Sequence, residues 1–408
     1  NITNPSSTLL SNFPIYLNLP KEVEMQYDFK DIRFINGSCG STGIYLPLNY
    51  EIENYTSSKA DVWINIPSFV PGVNQICIYY DNPSSSSGQN SINVWDNNYL
   101  TVQHLEEAGT GTRYDSKYRR NFTTSGYDND EKTIGKIDGA DLFDGNNDAL
   151  NSTANFLSNL GSFTIEGWIK PRAWGSRVSL IGQNDVVEFF MDGSNTIMIW
   201  TDRGGSISVA YPYSLDTWHY ITAVGTGSNL LLYFDGVQVA SGGTSTNNYG
   251  VSTYPVKIGE GVVDATGGFF NGSMDEIRIS NISRSANWIN QSYQIVNNQD
   301  NLVSFGIKEE KTKGIISTVI GATPFYTTTP NPLNSTTFSC LDNMKSSGGS
   351  CEVSWNVNAT GELNSIWEFF VLANNLNHQT YHNASSESQR IDITIASQVP
   401  PSVPQLYR

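Results

Sequence analysis

Short apolar-polar runs closed by clusters of turn formers recur along this chain, and they confine it to an all-β solution. Phe13-Pro14-Ile15-Tyr16-Leu17-Asn18-Leu19, Ala60-Asp61-Val62-Trp63-Ile64-Asn65-Ile66-Pro67 and Asn74-Gln75-Ile76-Cys77-Ile78-Tyr79-Tyr80 all alternate with period two. Asp81-Asn82-Pro83 and the serine run behind it make a turn and loop. Further on, turns such as Met191-Asp192-Gly193 and Asp235-Gly236 separate strands at sandwich spacing. Only 15% of residues are charged, and polarity comes instead from Asn, Ser, Thr, Gly and Tyr, the balance of a β-rich extracellular protein.

The formal net charge of −16 argues against a nucleic-acid partner, because no basic stripe is present to neutralise phosphates. It argues equally against an anionic membrane face. No apolar stretch reaches the roughly 18 residues that span a bilayer, so direct membrane insertion is not expected. The opening Asn1-Ile2-Thr3 reads as a mature exported form at the cell surface, anchored through something else. Eleven Asn-x-Ser/Thr acceptors stand at Asn1, Asn36, Asn54, Asn121, Asn151, Asn271, Asn281, Asn290, Asn334, Asn358 and Asn383. Four cysteines allow three connectivities, and the local one, Cys39–Cys77 and Cys340–Cys351, is expected in an oxidising compartment. Zinc is the rival, but no Cys-x-x-Cys is present and the four histidines are scattered.

Four phrases in fixed order identify the central region. They are Phe143-Asp144-Gly145-Asn146-Asn147-Asp148, Ser162-Phe163-Thr164-Ile165-Glu166-Gly167-Trp168-Ile169-Lys170-Pro171, then Asp216-Thr217-Trp218-His219-Tyr220-Ile221 leading to Leu232-Tyr233-Phe234-Asp235-Gly236, and Asn271-Gly272-Ser273-Met274-Asp275-Glu276-Ile277-Arg278-Ile279. Together they resemble the laminin-G/concanavalin-A-like jelly roll, assigned here to residues 99–309. Within it, the polar excursion 108–135 reads as an insertion or binding loop. Residues 1–98, through Asp31-Ile32-Arg33-Phe34, Leu46-Pro47-Leu48-Asn49-Tyr50-Glu51-Ile52-Glu53 and Ile78-Tyr79-Tyr80-Asp81-Asn82-Pro83, resemble an uncharacterised β-domain. That domain often precedes such jelly rolls in archaeal and bacterial surface proteins, and the pairing suggests an archaeal source. Its usual first strand is expected to be missing here. Residues 313–396 resemble an immunoglobulin-like module, with Cys340 and Cys351 stapling a hairpin, and 397–408 form an extended proline-rich tail. The expected architecture is three serial β-sandwich domains.

The jelly-roll resemblance implies a structural Ca2+ held by Asp144, Asn147, Asp148 and, from the neighbouring last strand, Asp275, since calcium takes six to eight hard oxygens. The alternative is that these carboxylates cap turns. No catalytic constellation is evident. Glu106-Glu107 is the one conspicuous carboxylate pair, and within one strand the two would face opposite ways. His219 reads as core-edge structure. A glycan site would draw on Trp174, Trp200, Tyr211, Tyr213 or Tyr249. Read head to tail, Leu406-Tyr407-Arg408 followed by Asn1-Ile2-Thr3 resembles the missing opening of the first domain, so one subunit's tail could complete the next. The sequence thus points to a structural subunit of an extracellular filament, a homopolymer joined through its termini. The second reading is a carbohydrate-binding adhesin that uses the jelly roll.

Overall fold

The computed structural model describes residues 1–37, 39, 46–193, 195–264, 267–306, 316–333, 351–361, 363, 366–369, 371–374, 385–387 and 391–395. It is nearly all β and divides into two compact units, residues 1–308 and 309–408. The boundary expected near residue 98 lies inside the first unit.

The sandwich is built from two sheets. One runs in the order Gly205–Ala210, Thr196–Thr201, Val187–Asp192, Val178–Gln183, Val256–Ile258, Ala149–Asn151, Phe122–Ser125, Thr112–Arg113. The other runs Lys132–Ile134, Gly139–Asp144, Asn271–Ser280, Phe163–Pro171, His219–Gly225, Leu230–Phe234, Val237–Gly242. Between them lies an apolar core that includes Phe143, Ile165, Ile169, Phe189, Ile199, Ile221, Leu232, Met274 and Ile277. Alternation along each strand supplies these residues to one face.

The central strand Asn271–Ser280 organises the second sheet. Phe163–Pro171 pairs with it along its length on one side. On the other side its partner changes: Gly139–Asp144 pairs with residues 271–274, and Tyr99–Gln103 with residues 277–280. Asp275 and Glu276 sit at that change. Opposite them Gly167 faces a bulge, and Glu276 takes a left-handed φ of 53°. Bulges re-aim side chains in this way. A Cβ on Gly167 would lie 2.4 Å from Ile277 Cδ1, so a larger residue there would push that side chain aside.

The outer face of that sheet is covered by the N-terminal region. Leu10–Pro20, Lys59–Phe69 and Tyr50–Tyr55 form a three-stranded antiparallel sheet. Its residues Phe13, Ile15, Trp63 and Ile64 share one core with Trp95, Tyr99, Val102, Trp288 and Ile295. The helix Ala286–Asn297, capped by the Ser285 side chain accepting from Trp288 N, lies over the same face.

Cys39 and Cys77 form the expected disulfide, closing 38 residues beside the paired strands Arg33–Asn36 and Ile76–Tyr79. Closing a loop of 38 residues stabilises by about 3–4 kcal/mol on the chain-entropy account. Reduction is therefore expected to lower the unfolding free energy by that amount, seen as a lower denaturant midpoint, and an unchanged midpoint would contradict it. Cys351 is disulfide-bonded, while Cys340 and the hairpin expected over 341–350 lie outside the described residues.

In the second unit the described strands pair as Phe325–Thr327 with Val357–Ala359, Ile366–Phe369 with Ile391–Thr394, and Leu372–Asn374 with Ser385–Glu387. Residues 351–356 lie outside any strand, and Val357, which begins one, is exposed. The tail from residue 397 onward lies outside the described residues.

Candidate functional site

A cavity of about 370 Å³ opens in the first unit where the three-stranded sheet meets the sandwich. Three segments build it. Tyr50–Tyr55 contributes Glu51, Ile52 and Glu53, its register against Lys59–Phe69 shifting between Ile52 and Asn54. Tyr99–Gln103 ends just before His104, and Leu105 then adopts a φ of 64°. That left-handed residue ends the extended run, so His104, Glu106 and Glu107 all line the cavity. Glu106 and Glu107 thus lie beyond the strand, where the expectation of opposite faces within one strand does not apply. The excursion 108–135 supplies Tyr114, Asp115, Ser116 and Tyr118. Asp115 holds that loop in place, its buried carboxylate accepting from the backbone N–H groups of Val102, Lys117, Arg119 and Arg120. Tyr114 and Tyr118 remain 60% and 71% exposed at the rim.

The floor is densely charged. His104 Nδ1 lies 2.5 Å from Glu276 Oε1 and 3.3 Å from Glu53 Oε2, and its Nε2 lies 3.2 Å from Glu51 Oε1. Burial opposes charge on His104, yet Glu276 and Glu53 outweigh it and lift the imidazole well above its ordinary value. Burial, then Glu276, pushes Glu53 well up. Burial also acts on Glu276, but His104 and Arg278 hold it below the usual carboxylate range. Beneath lies Arg278, with Nη2 2.7 Å from Glu276 Oε2 and its guanidinium 4.5 Å and 5.2 Å from the rings of Trp63 and Trp95. Nearer the mouth, burial and the charge of Asp138 push Glu106 up to about 7.

Stability should therefore depend on pH. Burial likewise pushes Glu188 up to about 7 and Asp141 up to about 6. The folded chain keeps these protons, and that of Glu106, at pH values where the unfolded chain has lost them. Stability then falls as pH rises from about 4.5 to about 7. At the acid end, Asp96 and Asp235 are held low despite burial, by Arg284 and by His219, and their contribution is lost once they protonate. Thermal melting across pH is expected to show its maximum at about pH 4–4.5; a maximum above neutrality would contradict these assignments.

The residues expected to hold calcium do not form one group. Asp144 accepts from the N–H groups of Asn146 and Asn147, and Asp148 accepts from Asp144 N, as carboxylates capping a turn do. Asn147 Nδ2 donates to Gly126 O. Asp144 pairs in register with Asn271, so Asp275 lies four residues along, roughly 13 Å away at strand rise. Its buried carboxylate accepts instead from Lys136 N and Ile137 N.

The aromatics expected to contact sugar are largely structural. Tyr249 and Tyr211 are buried, Trp174 packs on the sandwich core, Trp200 packs beside Phe190 and Tyr213 stacks on His219 at 3.6 Å. His219 itself bonds Asp235 at 2.8 Å.

Of the glycan acceptors, Asn1, Asn36, Asn121, Asn281 and Asn358 are exposed, and Asn54, Asn151, Asn271 and Asn290 are half-buried. Asn334 and Asn383 lie outside the described residues. Ile2–Asn4 pairs with Gly72–Asn74, and the Asn1 amino group donates to Ser304 O. Leu406, Tyr407 and Arg408 lie outside the described residues.

Sequence reasoning missed Glu51, Glu53, His104 and Glu276 as site residues, although three of them fall in the phrases 46–53 and 271–279 that carry the family resemblance. The usable signal was the i, i+2 glutamate pair flanking Ile52 in a strand.

Residues 144–290 match the family described as the concanavalin A-like lectin/glucanases superfamily, and residues 28–155 match a domain of unknown function, DUF2341. The chain thus carries a concanavalin A-like jelly roll preceded by that domain. No curated protein matches the chain in sequence. Among solved structures the chain is similar to domain 4 of a GH43 extracellular arabinanase from Geobacillus stearothermophilus in complex with arabinotriose. Identity there is 18% over 40% of this chain and 80% of that one, with a TM-score of 0.34. It is also similar to botulinum neurotoxin type C, which depends on two ganglioside molecules to enter cells, at 14% identity over 49% of this chain and 51% of that one, TM-score 0.38. The binding domain of Paraclostridial Mosquitocidal Protein 1 shows 14% identity over 48% and 52%, TM-score 0.38. The aligned region spans about half of each toxin chain.

Proposed function

We propose that this chain is an extracellular surface protein that binds a glycan in the cavity between the three-stranded sheet and the sandwich. The observation that carries this reading is the pair of exposed tyrosines, Tyr114 and Tyr118, standing over a floor of carboxylates. Sugars present C–H faces to aromatic rings and hydroxyl donors to carboxylates, and this cavity offers both within a volume usual for small ligands. The match of residues 144–290 to a superfamily of lectins and glucanases supports the same direction.

The floor also selects. Glu51, Glu53, Glu106, Glu107 and Asp115 line it with carboxyl oxygens, which favours neutral or amino sugars over sulfated and sialylated glycans. A separate cavity of about 350 Å³ holds Arg119 and Arg120. Binding to immobilised neutral, amino and acidic glycans tests the reading. Tyr114→Ala and Tyr118→Ala are each expected to weaken binding of a neutral or amino sugar about 5–10-fold. Binding confined to acidic glycans and lost in Arg119→Ala would move the site to the second cavity.

Hydrolysis of the bound glycan is the second reading. It is favoured by Glu106, pushed up to about 7, standing beside Glu107 in one cavity, because glycoside hydrolysis needs a protonated acid near an ionised carboxylate. Release of new reducing ends that disappears in Glu106→Gln would establish it.

A further inference from the structure

The floor of the cavity is arranged as a set of ligands held from behind. His104 directs Nε2 to Glu51 Oε1 at 3.2 Å, and Trp95 Nε1 donates to that same oxygen at 2.6 Å. The ring is thereby fixed with Nδ1 toward Glu276 and Glu53. Each of those carboxylates is tethered by one outer donor: Arg278 Nη2 to Glu276 Oε2 at 2.7 Å, and Trp63 Nε1 to Glu53 Oε2 at 2.7 Å. The second oxygen of Glu53 has no hydrogen-bond partner, although the side chain has no exposed surface. Leaving a buried acceptor unmet is unfavourable by about 1–3 kcal/mol, so a partner belongs there.

Two further observations agree. Histidines that ligate metals usually donate their other ring N–H to a carboxylate, which is the role Glu51 plays toward His104. The backbone is left-handed at both Leu105 and Glu276, the residues that aim His104 and the Glu276 carboxylate inward. Such strain persists where the surrounding structure holds it for a purpose. Asp138 and Asp275 add further buried oxygens without hydrogen-bond partners.

The geometry points to a divalent metal site in which His104 Nδ1, Glu276 and Glu53 are the ligands and Glu51 orients the histidine. Ligand atoms of these three residues lie within 4.8 Å of one another. Glu53 and His104 also line the cavity, so the open coordination side faces it. One imidazole nitrogen with two carboxylates suits Zn2+ or Mn2+ better than Ca2+, which takes oxygen alone. Binding replaces the Nδ1 proton, which leaves to solvent. The site stands whether or not the cavity takes a sugar.

The test uses the untagged full chain, stripped with chelator and titrated with Zn2+ or Mn2+ alone, without glycan. Expected are one ion retained per chain after gel filtration, buffer-dependent proton release, and a melting temperature that rises on loading. Glu51→Gln should weaken affinity about 10–100-fold and His104→Asn should abolish it. Asp128→Asn, in the exposed acidic group Asp128, Asp130 and Glu131, should leave it unchanged. Nitrogen-15 spectra of the wild-type histidines provide a readout that needs no variant: Nδ1 of His104 should lose its proton on loading. A wild-type chain that retains no ion, with both ring nitrogens protonated throughout, would overturn the proposal. So would a folded His104→Asn chain that binds as tightly.

Discussion

Arg278→Met is expected to destabilise the first unit by about 3–5 kcal/mol, read as a lowered midpoint in urea. Arg278 is 1% exposed in the middle of the sheet face that the N-terminal region covers. Its guanidinium lies 2.7 Å from Glu276 and 3.9 Å from Glu166, and both carboxylates are buried. Methionine would fill much of the space but leave Glu166 with no cation in contact and Glu276 with His104 alone. Breaking one side of a buried ion pair is costly because the remaining charge has no water to turn to. The stacking of the guanidinium on Trp63 and Trp95 is lost as well. A triple change, Arg278→Met with Glu276→Gln and Glu166→Gln, should recover much of the loss, since it removes the stranded charges. If the single change proves neutral, the buried charges are compensated in some other way and the account of this face is wrong.

Trp288→Ala should cost a similar amount, about 3–5 kcal/mol, by a different route. Trp288 lies in the helix Ala286–Asn297, which follows the last sandwich strand and belongs by sequence to the jelly roll. Yet its ring meets Phe13 of the N-terminal sheet edge-on at 4.8 Å, and Arg284 lies 4.1 Å from it. On the same helix Ile289 packs with Trp168 and Tyr220 of the sandwich, while Ile295 joins the N-terminal core. One helix therefore packs on both regions. Truncating Trp288 leaves a cavity bordered by both, and their unfolding should stay coupled as one transition for residues 1–308. Calorimetry that resolves two separate transitions within that unit would show that the N-terminal sheet and the sandwich are independent.

How much of the fold is legible in the sequence depends on whether the signal is local. Ala60 to Pro67 alternates in sequence and is a strand in the structure, because the period of a strand is set by its own backbone. Yet both of its faces are buried, Val62 and Ile64 on one side and Asp61 and Trp63 on the other, and alternation alone suggests one solvated face. The Cys39–Cys77 pairing is likewise readable, since the two are local in sequence, 38 residues apart, and the strand holding Cys77 pairs with Arg33–Asn36 just before Cys39. The calcium set fails at Asp275 because being on neighbouring strands does not fix register. A four-residue offset separates carboxylates that sequence placed together.

The sequence by itself determined that this chain is all-β, that its central region is a concanavalin A-like jelly roll, and where its turns fall. Each of these follows from residue types at short spacing, where hydrogen-bond geometry leaves few options. Only the tertiary structure decided the site. His104 and Glu276 are 172 residues apart, and His104 and Glu51 are 53 apart. They meet because the central strand changes partner at Asp275 and Glu276, and because Leu105 turns the chain out of its strand. Neither event has a signature in local pattern: each depends on how distant strands pair and on the bulge that their pairing forces.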